Sequence, residues 1–365
     1  MARPDGWDRL RCAVGRPRLS SGTEMRPRSV QRQPGIVGAV MRLAGTVPPG
    51  GGAVVMGVGI VSIDLHLAGA EALSRVLLGI AAAAWVLLGL LLTARLVGDR
   101  PRFAAEARLP ASLTGVAGTA VLGTRLALLG WSGAGLVLLA VAGLLWPALL
   151  GGVLRHWVTP TVGVSFMATV STESLAVLLA VLSLATRTGW AVVLAVVLLA
   201  MGTGIYATVV ARFDLHQLVR GRGDHWVAGG ALAICALACG TVTLAARDLH
   251  LLGGGAALRG ATAALWVAAV AWLPLLVATE LVSRRVLYDT RRWATVFPVG
   301  MYAACSFVAG SAIGWRGLID FARVWSWVAL AVSAVVLLAM LWQPIPLLRT
   351  GSARSPRTAG EPADS

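Results

Sequence analysis

Ten stretches of mostly apolar residues follow one another along the chain, separated by short connections. A helix needs about 20 such residues to cross the hydrocarbon core of a bilayer, and each stretch is long enough, although the first is short and rich in glycine. The sequence therefore predicts an all-α polytopic membrane protein with ten transmembrane helices. The predicted spans are residues 50–68, 72–97, 111–130, 134–154, 161–185, 189–211, 226–246, 260–283, 294–314 and 321–343.

The composition agrees with this topology and excludes several protein classes. Of the 365 residues, 57% are hydrophobic and only 13% are charged, whereas soluble globular domains are about 25% charged. This balance excludes a soluble enzyme with a tail anchor, a disordered scaffold and a disulfide-rich secreted domain. The connections are too short to hold a separate domain outside the membrane.

The arginines orient the predicted spans. All 31 basic residues are arginine, and with a cytoplasmic N-terminus the inner connections and C-tail hold fifteen of them against six in the outer connections. Positive residues concentrate on the cytoplasmic side of membrane helices. We therefore expect a multi-pass protein of the plasma (inner) membrane with both termini in the cytoplasm. We therefore attribute the net charge of +15 to arginines that lie at the inner face of the membrane, and no nucleic-acid partner is expected.

The predicted domain organisation follows from the same runs. Residues 1–45 are basic and interrupted by proline, and we expect a disordered extension there; Met25 and Met41 are alternative start sites. Residues 46–345 form the ten-span domain. Residues 346–365 are expected to be a disordered cytoplasmic tail.

Three ionisable residues are predicted inside the spans, where each is costly and is therefore a functional candidate. Glu280 lies four residues before Arg284, so an ion pair along one helix explains it. Glu173 is deeper and must be protonated, paired or hydrated, and Arg125 is a candidate partner on a neighbouring helix. Two interpretations of Glu173 stay open: a buried interhelical contact, or a relay for protons or anions.

No arrangement typical of an enzyme, a cofactor or a metal site is found. The four cysteines lack the ligand spacing of a metal centre, and no cofactor is expected. The nearest candidates for a lipid-modifying membrane enzyme share one inner loop, which its arginines make more typical of a solvated connection. They are Asp214, His216, Asp224 and His225.

Two glycines in the first predicted span admit two interpretations. Gly57 and Gly59 are not preceded by a strand, so they do not form a dinucleotide fingerprint. In a membrane helix such glycines permit either close approach of a neighbouring backbone or a break in the helix.

Three segments resemble a known family. Residues 292–300 carry the pattern Trp-Ala-x-x-Phe-Pro, residues 56–62 begin Met-Gly-x-Gly-Ile, and residues 223–230 enter the seventh span with Gly-Asp-His-Trp. Together with ten spans and cytoplasmic termini, these segments resemble the tellurite-resistance/dicarboxylate transporter family, which includes the plant slow-type guard-cell anion channels. The first-span segment departs from the family pattern because Val58 stands where threonine is common.

The resemblance implies a fold and a gate. In that family five helical hairpins surround a central pore lined by the odd-numbered helices, and the subunits form trimers. The residue that matches the family's pore-plugging phenylalanine is Phe297, and Pro298 follows it. An apolar ring closes a narrow conduit by steric exclusion and by dewetting. Phe166 in the fifth span is a second candidate for the pore lining.

The resemblance leads to a hypothesis of function. The expected partners are the lipid bilayer, two further copies of the chain in a homotrimer, and small anions such as a C4-dicarboxylate, halide, nitrate or tellurite-like oxyanion. A gated passive pore is favoured. The alternatives are a proton-coupled dicarboxylate carrier that uses Glu173 and, in a different class, the lipid-modifying enzyme.

Overall fold

The computed structural model describes residues 36–218, 224–282 and 292–342, and each predicted span within them is a helix. Continuous helices are expected because a bilayer offers no water to satisfy an open backbone. The predicted bounds agree with the observed helices to within six residues. The ten helices are α2 (Gly52–Leu67), α3 (Glu71–Gly98), α5 (Thr114–Leu128), α6 (Ser132–Arg155), α7 (Met167–Thr186), α8 (Gly189–Val210), α9 (Asp224–Asp248), α10 (Ala256–Val282), α11 (Trp293–Ile313) and α12 (Arg316–Leu341).

The count of ten spans is supported by length for nine of these helices. Within the described residues, nine helices are long and apolar enough to cross a membrane, but α2 has only 16 residues. At 1.5 Å per residue α2 extends about 24 Å, which is less than the core thickness of about 30 Å. The short first span expected from the sequence is thus the one among the ten that is not long enough to cross the hydrocarbon core as a straight helix.

The ten helices divide into an inner and an outer set that alternate along the chain. In the inner helices α5, α7, α9 and α11, between 72% and 94% of the apolar window is buried within the protein, whereas in the outer helices the share is 17% to 39%. In α2 every residue from position 55 to 65 is buried. The outer helices therefore present most of their apolar surface to lipid.

The five inner helices form a closed ring. Around it, α2 contacts α5, α5 contacts α7, α7 contacts α9, α9 contacts α11, and α11 returns to α2. Each inner helix also contacts the outer helix that follows it in sequence, so the chain forms five helical hairpins arranged about one axis. This is the architecture that the resemblance implied.

Two short helices lie at the predicted cytoplasmic end of α3. These are α1 (Ile36–Thr46) and α4 (Arg100–Glu106). The buried Arg95 joins them, since its guanidinium donates hydrogen bonds to Glu106 and to the carbonyl of Ala44. Arg95 thereby fixes the entry of the chain into α2.

Candidate functional site

A narrow cavity lies on the axis of the inner ring, and all five inner helices contribute to its wall. Its volume is about 10 Å³, which is the space that one water molecule needs. Its wall is almost wholly apolar, and a hydrated anion cannot pass it in this conformation. We call it the axial cavity; residues that define it are Ile60, Ile63, Thr124, Ser174, Leu237 and Met301.

Phe297 lies one helical turn before Met301 on α11 and therefore on the same helix face. Its side chain is only 1% exposed. Pro298 has no N–H, so it cannot donate the helical hydrogen bond to the carbonyl four residues earlier, yet α11 continues through it. Phe297 is not part of the wall of the axial cavity, but its helix face directs the ring toward the same axis one turn away.

Gly57 and Gly59 permit close approach of two neighbouring inner helices. A Cβ at Gly57 would lie 2.9 Å from the ring of Trp293 on α11, and one at Gly59 would lie 2.8 Å from Val121 on α5. Helix α2 runs unbroken through both residues. Close packing is therefore the role of these glycines, and the helix break considered from the sequence is wrong.

Phe166 lies in a short 3₁₀ turn immediately before α7 and is fully buried. Its ring packs against Tyr206 of the outer helix α8 and against Phe213, with ring centroids 5.4 and 5.5 Å apart. This aromatic cluster joins the start of α7 to the end of α8. Phe166 is not among the residues that line the axial cavity.

Glu173 is fully buried between three helices. Thr203 of α8 donates a hydrogen bond to its Oε1 at 3.1 Å, and the thiol of Cys235 on α9 adjoins the same carboxyl group. A Cβ at Gly202 would be 2.6 Å from Oε1, so α8 packs directly on this side chain. Within the described residues no arginine forms an ion pair with Glu173.

Arg125 is also fully buried, but its partners lie at the start of α3. Its Nη2 donates to Oε1 of Glu71 at 2.8 Å, and its Nε donates to the hydroxyl of Ser74 at 3.0 Å. The proposed pairing of Arg125 with Glu173 is therefore wrong. The end of α5 lies level with the beginning of α3, which brings Glu71 within reach, whereas Glu173 faces α8 and α9.

Asp64 is a fourth intramembrane ionisable residue that the sequence analysis missed. It lies on α2 and is fully buried, and neither of its carboxyl oxygens accepts a hydrogen bond from any described residue. A Cβ at Gly300 of α11 would be 3.1 Å from Oδ2. Its place inside the predicted span 50–68 is the sequence signal that could have identified it, because an ionisable residue within a span is costly.

The comparisons with known proteins agree with this architecture. Residues 46–341 match the voltage-dependent anion channel (SLAC1) family. The chain belongs to this family. Two uncharacterised membrane proteins of Mycobacterium tuberculosis, from strains CDC 1551 / Oshkosh and ATCC 25618 / H37Rv, are each 33% identical over 141 residues, which are 36% of this chain and 71% of the relative. The expected family is thus confirmed, and with it transport of anions in general.

The described residues of the inner loop considered for an enzyme do not come together as a metal site. His216 contacts Asp214 at 3.1 Å, while His225 is buried on α9. The side chain of Asp224 lies outside the described residues. Among the residues that the structure describes, no group of three or more potential ligands is positioned to hold a metal ion.

Glu280 joins α9 and α10 to the start of α11. The indole N–H of Trp226 donates to Oε2 of Glu280 at 3.1 Å, and the guanidinium of Arg292 lies 3.5 Å from Oε1. Arg284, the partner expected from the sequence, lies outside the described residues. Glu280 therefore has structural partners close to the segment that carries Phe297.

Proposed function

We propose that this member of the anion channel family passes small anions along the axis of the inner ring. The observation that supports it most directly is the axial cavity, to which all five inner helices contribute and which is closed by apolar side chains. The candidate substrates are a C4-dicarboxylate, halide, nitrate or a tellurite-like oxyanion. With 13% charged residues in the whole chain, selectivity rests on pore width and polar backbone more than on charged side chains.

We further propose that Phe297 is the gate. Its burial, its place on the axial face of α11 and the adjoining Pro298 support this role. An aromatic ring at this position adds a second apolar barrier one turn from the axial cavity. Rotation of one ring can open such a barrier without separating helices, because side-chain rotamer changes need little backbone movement.

The gate is tested by anion flux in proteoliposomes with the variant Phe297→Ala. The expected result is a severalfold increase in chloride, nitrate or malate flux, because the ring no longer blocks the axis. Phe307→Ala is the matched control. It removes a buried ring from the same helix, ten residues away and about 80° around the helix axis. Unchanged flux in a folded Phe297→Ala protein contradicts the gate.

A proton-coupled carrier is the second candidate, because Glu173 is buried between α7, α8 and α9 with no arginine partner among the described residues. A carboxyl group in such a place is stable when neutral, so it can take up and release a proton. This hypothesis requires that Glu173→Gln lose uptake driven by a pH gradient while the protein stays folded. Membership of a transport family favours both candidates over a lipid-modifying enzyme.

We also propose a homotrimer in the plasma membrane with both termini in the cytoplasm. The resemblance supports the trimer, and the fifteen-to-six arginine distribution supports the orientation. Native mass spectrometry of detergent-purified protein tests the trimer. Cysteine labelling from either side of the membrane at substituted connection residues tests the orientation.

A further inference from the structure

Asp64 is a buried carboxyl group that the proposed gate and pore do not use. Its side chain is 0% exposed, and both Oδ atoms lack a hydrogen-bond donor among the described residues. The other carboxyl groups of the inner region differ, because Glu71 binds Arg125 and Glu173 accepts a hydrogen bond from Thr203. An ionised carboxylate in this environment is strongly disfavoured.

The position of Asp64 links it to the conduit. Ile60 and Ile63, on the same part of α2, belong to the wall of the axial cavity. Across the contact with α11, Oδ2 faces Gly300, the residue immediately before the cavity residue Met301. The carboxyl group thus lies beside the axial cavity, at the contact between two inner helices.

The elements packed against α2 supply no cation that faces Asp64 in the described residues. On α11 its titratable neighbour is Cys305. On α5, Arg125 pairs through Nη2 with Glu71 of α3 and through Nε with Ser74, while its Nη1 has no hydrogen-bond partner among the described residues. Glu71 also binds Arg75 and His66.

The charged residues of α12 are all exposed, and the polar contacts of α2 with α3 are satisfied between the two helices. Asp320 and Arg323 of α12 pair with each other, and Arg316 is exposed in the first turn of the same helix. Ser62 and Ser74 bond to each other where α2 contacts α3. Cys305 remains the titratable side chain next to Asp64, and a thiol does not supply a positive charge.

We propose that Asp64 binds a proton as the co-substrate of anion transport. This inference rests on the proposed function and assigns the coupling to Asp64 instead of Glu173. One Oδ takes a proton from water on one side of the membrane and becomes a neutral hydroxyl. The anion then passes the axial cavity, and the O–H bond of Asp64 breaks to return the proton to water on the other side.

The coupling follows from charge. An ionised Asp64 beside the axial cavity repels an anion at the constriction, whereas the neutral acid does not and offers an O–H donor to it. By linkage the effect is reciprocal, so an anion at the constriction favours proton binding at Asp64 by the same factor. Because the proposed step takes the proton from one side of the membrane and returns it on the other, the proton and the anion cross together, which is symport.

Proteoliposomes with an inward proton gradient test this inference. Accumulation of labelled malate, nitrate and chloride is measured together with proton entry, reported by a pH-sensitive dye inside the vesicles. For Asp64→Asn we expect downhill anion flux to persist, while both accumulation and anion-driven proton entry fall at least tenfold. Asn matches Asp in size and resembles its neutral form, which favours folding.

Three further variants complete the test. Asp64→Glu restores an acid at this position, so coupling is expected to return with a shifted pH profile. Asp320→Asn removes an exposed aspartate of α12 and should change nothing. Glu173→Gln is expected to keep coupling. If Glu173→Gln loses coupling while Asp64→Asn keeps it, Glu173 is the residue that binds the coupled proton.

The outcomes separate the two proposals. Anion flux in the wild-type protein without proton movement, or full coupling in Asp64→Asn, overturns the role of Asp64 and leaves the anion conduit standing. If Asp64→Asn does not fold, a pH profile for Asp64→Glu identical to that of the wild type overturns it. Absence of flux for every anion tested, with folded wild-type protein, overturns the proposed function itself.

Discussion

The contact between α9 and α11 next to the proposed gate leads to a quantitative prediction. A Cβ at Gly230 would lie 2.7 Å from Cγ, 2.8 Å from Cβ and 3.1 Å from Cα of Pro298. Ordinary contact begins at 3.4 Å, so the closest approach is 0.7 Å too short. The proline ring is rigid and closed onto the backbone, and Gly230→Ala must therefore move the backbone of one helix.

The expected cost follows from two opposing effects. Overpacking of a well-packed interior costs about 1–3 kcal/mol, whereas replacing glycine by alanine in a helix gains about 0.5–1 kcal/mol. Gly79 on α3 supplies the matched control, because a Cβ there meets nothing within 4 Å. The propensity gain is common to both variants, so Gly230→Ala should be less stable than Gly79→Ala by about 1–3 kcal/mol.

Unfolding in mixed detergent–SDS micelles, followed by tryptophan fluorescence, measures this difference. The same two variants are then compared in the flux assay, where displacement of Pro298 should also alter passage at Phe297. Equal stability of Gly230→Ala and Gly79→Ala would refute the close α9–α11 contact. Lower stability of Gly230→Ala with unchanged flux would confirm the contact and show that it does not affect passage at Phe297, the proposed gate.

Two further predictions concern single buried contacts. Glu71→Gln leaves the buried guanidinium of Arg125 without its counter-charge. Because Glu71 is about one-third exposed, we expect stability to fall by about 1–3 kcal/mol in the same unfolding assay, which is less than for a fully buried pair. An unchanged unfolding midpoint would contradict this prediction. Trp266→Phe removes the indole donor that binds the hydroxyl of Ser306 at 2.9 Å, and thermal unfolding should report a loss of about 1 kcal/mol, whereas equal or greater stability would show that this hydrogen bond contributes nothing.

The sequence predicted the helices well because their signal is local. Each span is a run of apolar residues of membrane length, and its bounds are set where the run ends. The arrangement of the helices in a ring could not be predicted from this local signal, since inner and outer helices are both apolar over their whole circumference. Within each of four hairpins, the mean hydropathy of the inner helix is no higher than that of its outer partner, because the inner helix carries the buried polar residues. The family resemblance, not periodicity, supplied the ring.

The pairing of the charged residues could not be predicted from the sequence. Arg125 and Glu173 lie on helices that are neighbours in the ring, which made a pair between them plausible. Which way each side chain faces depends on helix rotation, and rotation is set by packing across the ring. Arg125 turns to Glu71, and α11 packs against Asp64 at Gly300. This contact is with a partner more than 200 residues away in sequence.

The three segments that resemble the family pack against one another in the structure, and this contact explains why they contain these residues. Gly57 in residues 56–62 lies against the ring of Trp293, and Gly230 in residues 223–230 lies against Pro298. Trp293 and Pro298 both belong to residues 292–300, at the start of α11. Glycine is needed at the two contacts because a Cβ would fall within 3 Å of the facing side chain. The segments are thus one packing unit that holds the first turns of α11, and Phe297 stands at its centre. A change at either glycine should therefore reach the proposed gate at Phe297 through α11, without any contact between that glycine and the axis.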